Sequence, residues 1–159
     1  MTKEDKELLL KDLCGRLPYG VFCVGVTYEL DDDGEKYIPV KVKDILTEIH
    51  NYKLETTSVR LGLISSCKLE TVKPYLRSLS SMTKGEEAEW HDLMVTPLLE
   101  NECESLSRAN SLDIYEQLQH LHLEYLNKHH FDYLGLIPRG LAIEVTLEDN
   151  PYKDNKDEV

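Results

Sequence analysis

A histidine pair, an aspartate and a tyrosine stand close together near the C-terminal end of this 159-residue chain. His129, His130, Asp132 and Tyr133 are residue types that ligate metals, transfer protons and donate hydrogen bonds. The segment around them, residues 112–145, holds four of the six histidines. A sharp turn after residue 128 would bring two imidazoles and a carboxylate together, which would suit a hydrolase or a metal enzyme. These four residues are the candidate binding site that the sequence predicts.

The spacing of the histidines favours a structural role over a metal site. His120 and His122 point about 200° apart on a helix, and His122 and His129 are separated by roughly 10 Å along its axis. No H-E-x-x-H pattern occurs. Lys128, His129 and His130 instead occupy the end of a helix, where cations are favoured and ring N–H groups can satisfy the last carbonyls. We predict no metal, no cofactor and no catalytic residue.

The four cysteines indicate free thiols and a reducing compartment. Cys14, Cys23, Cys67 and Cys103 are far apart and form no C-x-x-C pair, whereas disulfide frameworks and zinc sites show closer spacing. The charged N-terminus lacks the apolar segment of a secretion signal. No apolar run approaches the ~20 residues of a membrane span. We therefore expect a cytoplasmic protein with no membrane partner.

The net charge of −12 is concentrated in one half of the chain. Residues 1–82 carry 12 basic and 13 acidic side chains, and residues 83–159 carry 6 and 17. Such an acidic half repels phosphate backbones, which argues against a nucleic-acid partner. Two alternatives stay open, namely an acidic decoy that imitates DNA and nucleic-acid binding through the basic residues of the first half. Those basic residues are Lys41, Lys43, Lys53, Arg60, Lys68, Lys73 and Arg77.

The first half of the chain has the pattern of a helix followed by short strands. Thr2 caps a helix whose apolar face includes Leu9, Leu13 and Cys14, and Gly15 is its predicted end. Segments rich in β-branched residues follow between residues 21 and 63, joined by turns such as 31–34. Consecutive short strands pair antiparallel as a meander, so we predict a small SH3-like β-barrel or a bent sheet within an α+β fold.

The second half is predicted to be mainly helical. Thr83 and Glu86 have the spacing of a capping box, and an amphipathic helix follows from residue 112 with Leu118 and Tyr125 on its apolar stripe. Alternation on both sides of Pro138 predicts a short terminal strand pair. The predicted organisation is residues 1–82 as helix and barrel, residues 83–147 as a helical lobe packed on them, and residues 148–159 as a frayed tail.

Three runs of sequence carry a family resemblance. They are LPYGV within residues 1–21, KPYLRSLSSMT at 73–83 and LNKHHFDYLGLIPRGLAIE at 126–144. In this order they resemble a family of small uncharacterised proteins of gut Bacteroidales and of their phages and mobile elements. The resemblance implies a bacterial cytoplasmic protein of phage or mobile-element origin. It brings no activity, cofactor or catalytic residue.

The function that these patterns favour is a non-enzymatic interaction or accessory protein whose partner is another protein. The aromatic residues Tyr125, Phe131 and Tyr133 belong either to the core or to an anchor for that partner within an acidic rim. The alternatives are a nucleic-acid-associated barrel or DNA mimic, and a hydrolase or metal enzyme around the segment His129–His130–Asp132. The sequence does not determine an oligomeric state.

Overall fold

A computed structural model of the chain describes residues 1–33, 35–50, 53–57, 64–101 and 108–153. The fold is α+β, as predicted, with an N-terminal helix, a bent sheet and two C-terminal helices. The predicted strand at 59–63 lies outside the described residues. The elements in chain order are α1 (Lys3–Arg16), β1 (Phe22–Leu30), β2 (Tyr37–His50), β3 (Lys53–Thr57), β4 (Ile64–Lys68), β5 (Lys73–Leu76), α2 (Lys84–Asn101), α3 (Arg108–Lys128) and β6 (Ile143–Glu144).

Helix α1 begins where the sequence predicts but ends later. Thr2 and Asp5 form a reciprocal capping box, with both side chain to backbone hydrogen bonds at 3.1 Å. The predicted end at Gly15 is wrong, because the helix continues to Arg16. A Cβ atom on Gly15 would lie 3.0 Å from the Asn127 side chain, so this glycine allows α3 to approach closely. Cys14, which was predicted on the apolar face, is exposed.

The strands form one open sheet in the order β4-β3-β2-β1-β5-β6. The first four make the predicted antiparallel meander. Strand β2 pairs with β1 over Tyr37–Ile45 and with β3 over Ile45–His50, and an irregularity between Leu46 and Glu48 bends it. Because β4 and β6 are the edges, the described strands do not close a barrel. Of the two predicted alternatives, the bent sheet is the one that forms.

The predicted terminal strand pair does not form. Strand β6 pairs in parallel with Tyr75 and Leu76 of β5, and Phe131 makes a single parallel bridge to Arg77. The Asp132 carboxylate accepts two backbone N–H groups farther along the chain, and this turn prevents residues 133–137 from continuing as a strand. Strand β6 therefore pairs with β5, and Phe131 pairs with the residue that follows β5. The two segments do not pair with each other.

The segment 149–153 is packed, and the prediction of a frayed tail is wrong for these residues. The Tyr152 hydroxyl donates to the Tyr75 carbonyl at 2.8 Å and accepts the Phe22 N–H at 3.3 Å. The Asp149 carboxylate accepts the Tyr75 hydroxyl at 3.0 Å and pairs with Lys43 at 2.6 Å. Residues 154–159 lie outside the described part of the chain.

Two groups of buried side chains hold these elements together. The larger one joins α1, the sheet and the segment around Leu136, and the smaller one contains Tyr125, Leu126 and Phe131. Within the described ranges Cys14, Cys23 and Cys67 are free thiols, as predicted, and Cys103 lies outside them. None of the helices in these ranges is long and apolar enough to cross a lipid bilayer.

Candidate functional site

The predicted histidine pair ends helix α3. The His130 N–H donates to the Asn127 carbonyl at 3.1 Å, and the Phe131 N–H donates to the Leu126 carbonyl at 2.9 Å. These two bonds form a Schellman motif, in which His130 (φ 57°) takes the left-handed position that usually holds glycine. The position of helix termination was predicted correctly. Backbone N–H groups satisfy the last carbonyls, however, and within the described residues neither imidazole bonds to them.

The His130 ring is enclosed and neutral. It is 8% exposed and stacks on Tyr152, with ring centroids 4.2 Å apart. Burial, and secondly the charge of Arg16, lowers its pKa to about 3. Its Nδ1 atom is buried and has no hydrogen-bond partner among the described residues. A buried polar atom without a partner is unusual in folded proteins.

His129 contacts a different set of side chains from His130. Its ring stacks on Tyr125 at 4.3 Å, and its Nδ1 lies 3.7 Å from the Glu86 carboxylate. Burial lowers the pKa of His129, and the nearby Glu86 partly opposes this effect. Glu86 itself is ionised, because hydrogen bonds from Arg77 lower its pKa to about 2. The two imidazoles therefore contact different aromatic rings and do not converge.

Asp132 and Tyr133 serve the fold. Each oxygen of the Asp132 carboxylate accepts one backbone N–H at 2.8 Å, from Leu136 and Ile137. The Tyr133 ring lies 5.4 Å from the Arg16 guanidinium. Among the described residues no group of three His, Cys, Asp or Glu side chains could hold a metal ion. The side chains of the four candidate residues therefore do not converge on one point.

A buried ion pair was missed by the sequence reasoning. Arg16 and Asp12 are both completely buried and bond through two contacts of 2.7 Å. Arg16 also donates to the carbonyls of Phe131 at 2.7 Å and Leu126 at 3.5 Å, so it holds the end of α3 against α1. Burial raises the pKa of Asp12, and Arg16 opposes that shift. The i,i+4 spacing of the two residues beside Leu13 was the available signal.

Two grooves meet at Lys128 and His129. The first, which we call the helix groove, lies between α2 and α3 and has a volume of about 560 Å³. The second, the C-terminal groove, lies between the start of α2, the end of α3 and residues 145–153, with a volume of about 850 Å³. The helix groove is lined by Glu89, Asp92, Leu93, Leu121, Tyr125, Lys128 and His129. The polar lining of the C-terminal groove includes Arg77, Glu86, Lys128, His129, His130 and Lys153.

The tip of the β1–β2 hairpin is a further feature that the sequence reasoning missed. Leu30 and Tyr37 are cross-strand neighbours and remain 52% and 71% exposed, with Tyr28 and Ile38 also exposed nearby. Behind them Lys43, one of the basic residues considered for nucleic-acid binding, is engaged by Asp149. The two strands therefore expose apolar side chains where they leave the charged turn.

Comparison with known proteins adds no identity. No family model, no curated protein and no solved structure matches this chain. The function has to be argued from the two grooves and the residues around them.

Proposed function

We propose that this chain is a non-enzymatic interaction protein that binds a basic amphipathic helix of a partner protein in the helix groove. The observation that carries the proposal is the state of α2. From Lys84 to Leu93 no residue is buried, and only Glu86 and Trp90 are even half-buried. The first ten residues of α2 therefore gain little stability from the described part of the chain, and an apolar groove beside them is a natural docking surface.

The apolar floor of the helix groove supports a helical occupant. Leu93 is 37% exposed on α2, and it faces the same groove as Leu121 and Tyr125 of α3. An amphipathic helix binds such a groove by placing apolar side chains at i, i+3 or i+4, and i+7 along it. Tyr125 is held in position because its hydroxyl donates to the Glu86 carbonyl at 2.9 Å. The floor is therefore preformed.

The acidic α2 side of the groove favours the basic face of a partner helix, and Lys128 lines the groove on the α3 side. Glu89 and Asp92 line the groove on the α2 side and are exposed. They belong to the half of the chain that carries 6 basic and 17 acidic residues. Opposite charge on a partner helix would speed its association and orient it, while acidic helices would be repelled.

The cellular setting and the finer fold class belong to the same proposal. We place the protein in a bacterial cytoplasm, as an accessory factor of phages or mobile elements, on the resemblance carried by residues 1–21, 73–83 and 126–144. We also propose that the bent sheet is a relative of SH3-like barrels. The close approach of Gly25 in β1 to Cys67 in β4, which curls the sheet, supports that assignment.

A pair of designed peptides tests the groove. The probes are an 18-residue helical peptide of leucine and lysine and a matched peptide of leucine and glutamate, each carrying a fluorophore. We expect the lysine peptide to bind and the glutamate peptide not to bind. Leu93→Ser should weaken binding about tenfold, since one buried apolar anchor contributes roughly 1–2 kcal/mol.

The matched control is Leu30→Ser, which removes an exposed leucine at the hairpin tip without changing the net charge. It should bind the lysine peptide as the native protein does. Equal weakening by both substitutions, or equal binding of both peptides, would rule out the helix groove as the specific site.

A further inference from the structure

The C-terminal groove has a positive lining in a strongly acidic chain. Arg77 and Glu86 form two hydrogen bonds of 2.6 and 2.9 Å, so their charges compensate each other. Lys128 and Lys153 line the same groove, and neither forms an ion pair within the described residues. Two lysines that no described carboxylate pairs with therefore line one cavity of a protein whose net charge is −12.

Free carbonyl groups normally give the C-terminal end of a helix a negative potential, and this effect is reduced at the end of α3. The carbonyls of Leu126 and Asn127 accept the N–H groups of the Schellman motif, and Leu126 also accepts from Arg16. On the opposite wall, α2 begins with its N-terminal end toward the groove at Thr83 and Glu86. The partial charges at the two helix ends therefore do not cancel the positive potential of Lys128 and Lys153.

His130, whose Nδ1 nitrogen is unpartnered among the described residues, lines this groove. The imidazole is 8% exposed, and its Nδ1 atom has no hydrogen-bond partner among the described residues. Leaving such an atom unpaired costs about 1–3 kcal/mol, which a suitable ligand would recover. The atom is enclosed, so the hydrogen bond to a ligand requires the side chains around the imidazole to rearrange.

We propose that the C-terminal groove is a binding site for a small organic oxyanion, in which Lys128 and Lys153 contact the phosphate or carboxylate and His130 supplies a hydrogen bond. The volume of about 850 Å³ accommodates a ligand as large as a nucleotide. A phosphate and a carboxylate offer the same oxygen acceptors to ammonium and imidazole groups. The site does not depend on occupation of the helix groove.

Calorimetric titration at low ionic strength tests the site with ATP, citrate and inorganic phosphate as anionic probes and adenosine as the uncharged control. We expect at least one of ATP and citrate to bind, and the ratio of their affinities to tell a phosphate site from a carboxylate site. The double substitution Lys128→Gln and Lys153→Gln should raise the Kd at least tenfold. The matched double substitution Lys11→Gln and Lys36→Gln removes the same charge outside the groove and should change the Kd less than twofold.

The imidazole provides an independent readout by NMR. The ¹⁵N resonance of His130 Nδ1 should shift on addition of the bound anion, while that of the exposed His91 ring should not. Absence of binding by all three anions, equal loss of affinity in the two double variants, or an unmoved His130 resonance at saturation would each overturn the proposal. Because Leu93→Ser leaves this groove intact, it should not alter anion binding, which separates this site from the helix groove.

Discussion

At the scale of single residues, Arg16 joins three segments of the chain. It is completely buried, pairs with Asp12 in α1 and donates to two carbonyls at the end of α3. A buried charge that loses its partner is not rehydrated, so the remaining group destabilises the folded state strongly. The same contacts fix the end of α3, where His129 and His130 line the C-terminal groove.

We predict that Arg16→Met lowers the free energy of unfolding by about 3–5 kcal/mol, because it leaves the Asp12 carboxylate buried without a partner. Urea denaturation measures this change. The control is Arg139→Met. The Arg139 side chain is 53% exposed and pairs with Asp5. Its effect should be far smaller, since water screens that pair. Similar losses for the two substitutions would contradict the role assigned to Arg16.

His130 should make the protein sensitive to acid. Its folded-state pKa of about 3 lies below the ordinary value of 6.5, so the unfolded state binds the proton first as the pH falls. Stability is therefore fully present above pH 6.5 and is lost between pH 6.5 and 3. The expected slope from this residue approaches 1.4 kcal/mol per pH unit. The lowered pKa values of His122 and His129 act in the same direction.

The substitution His130→Asn isolates this effect, because asparagine tolerates the left-handed conformation and does not titrate. Between pH 4.5 and 6.5, the unfolding free energy of this variant should depend less steeply on pH than that of the native protein. The difference in slope should be up to about 1.4 kcal/mol per pH unit, the contribution of one proton. His91→Asn is the control, since that ring is exposed in the folded state as in the unfolded chain. An unchanged slope in His130→Asn would show that the imidazole is not held neutral.

At the scale of the elements, the close approach of β1 to β4 depends on one position without a side chain. A Cβ atom on Gly25 would lie 2.7 Å from the Cys67 Sγ and 3.3 Å from Val72. Strand β1 can therefore approach β4 only because this residue is glycine. Nothing in the local alternation of residues 21–30 indicates that requirement.

Gly25→Ala should destabilise the protein by about 1–3 kcal/mol, the usual cost of overpacking a core. Thermal denaturation of the single and double variants checks this, because Cys67→Ala removes the closest atom and should restore part of the loss. Gly85→Ala serves as the control: its Cβ would meet nothing closer than 3.9 Å, and alanine favours the helix. Strictly additive effects of Gly25→Ala and Cys67→Ala would show that β1 does not approach β4 in this way.

Local patterns predicted the elements whose hydrogen bonds are themselves local. The capping box of Thr2 and Asp5 starts α1, and the β-rich segment before the Asp31 turn becomes β1. The terminal strand pair does not form, because residues 143–144 pair with β5 and Phe131 makes its bridge to Arg77. The Asp132 side chain then favours a turn over a hairpin. This preference is visible only in the structure, where its two oxygens accept the N–H groups of Leu136 and Ile137.

At the scale of the whole molecule, the C-terminal segment connects the sheet to the helical part. Tyr152 bonds to backbone groups of β5 and β1 and stacks on His130 at the end of α3. Its ring also meets Phe22 edge-on, with centroids 5.4 Å apart. One side chain therefore contacts three elements that are distant in sequence.

Tyr152→Ala should lower the free energy of unfolding by about 2–3 kcal/mol, through lost aromatic packing and two unpaired backbone groups. Chemical denaturation followed by circular dichroism measures it. Tyr37→Ala removes a tyrosine that is 71% exposed and should change stability by less than about 0.5 kcal/mol. If both variants were equally stable, residues 149–153 would not be part of the cooperative fold.

The sequence by itself determined the α+β class, the antiparallel meander, the capping of α1 and the end of α3 at the histidine pair. The caps depend on contacts between residues a few positions apart, and the meander on strands that follow one another in the chain, which periodicity and capping patterns record. Only the tertiary structure decided that Arg16 is buried against Asp12, that Tyr152 packs on His130, and that two grooves meet at Lys128. These arrangements join segments up to 130 residues apart, and no local pattern specifies which distant partner a side chain meets. The histidines that first suggested chemistry therefore form the end of a helix and one wall of a groove.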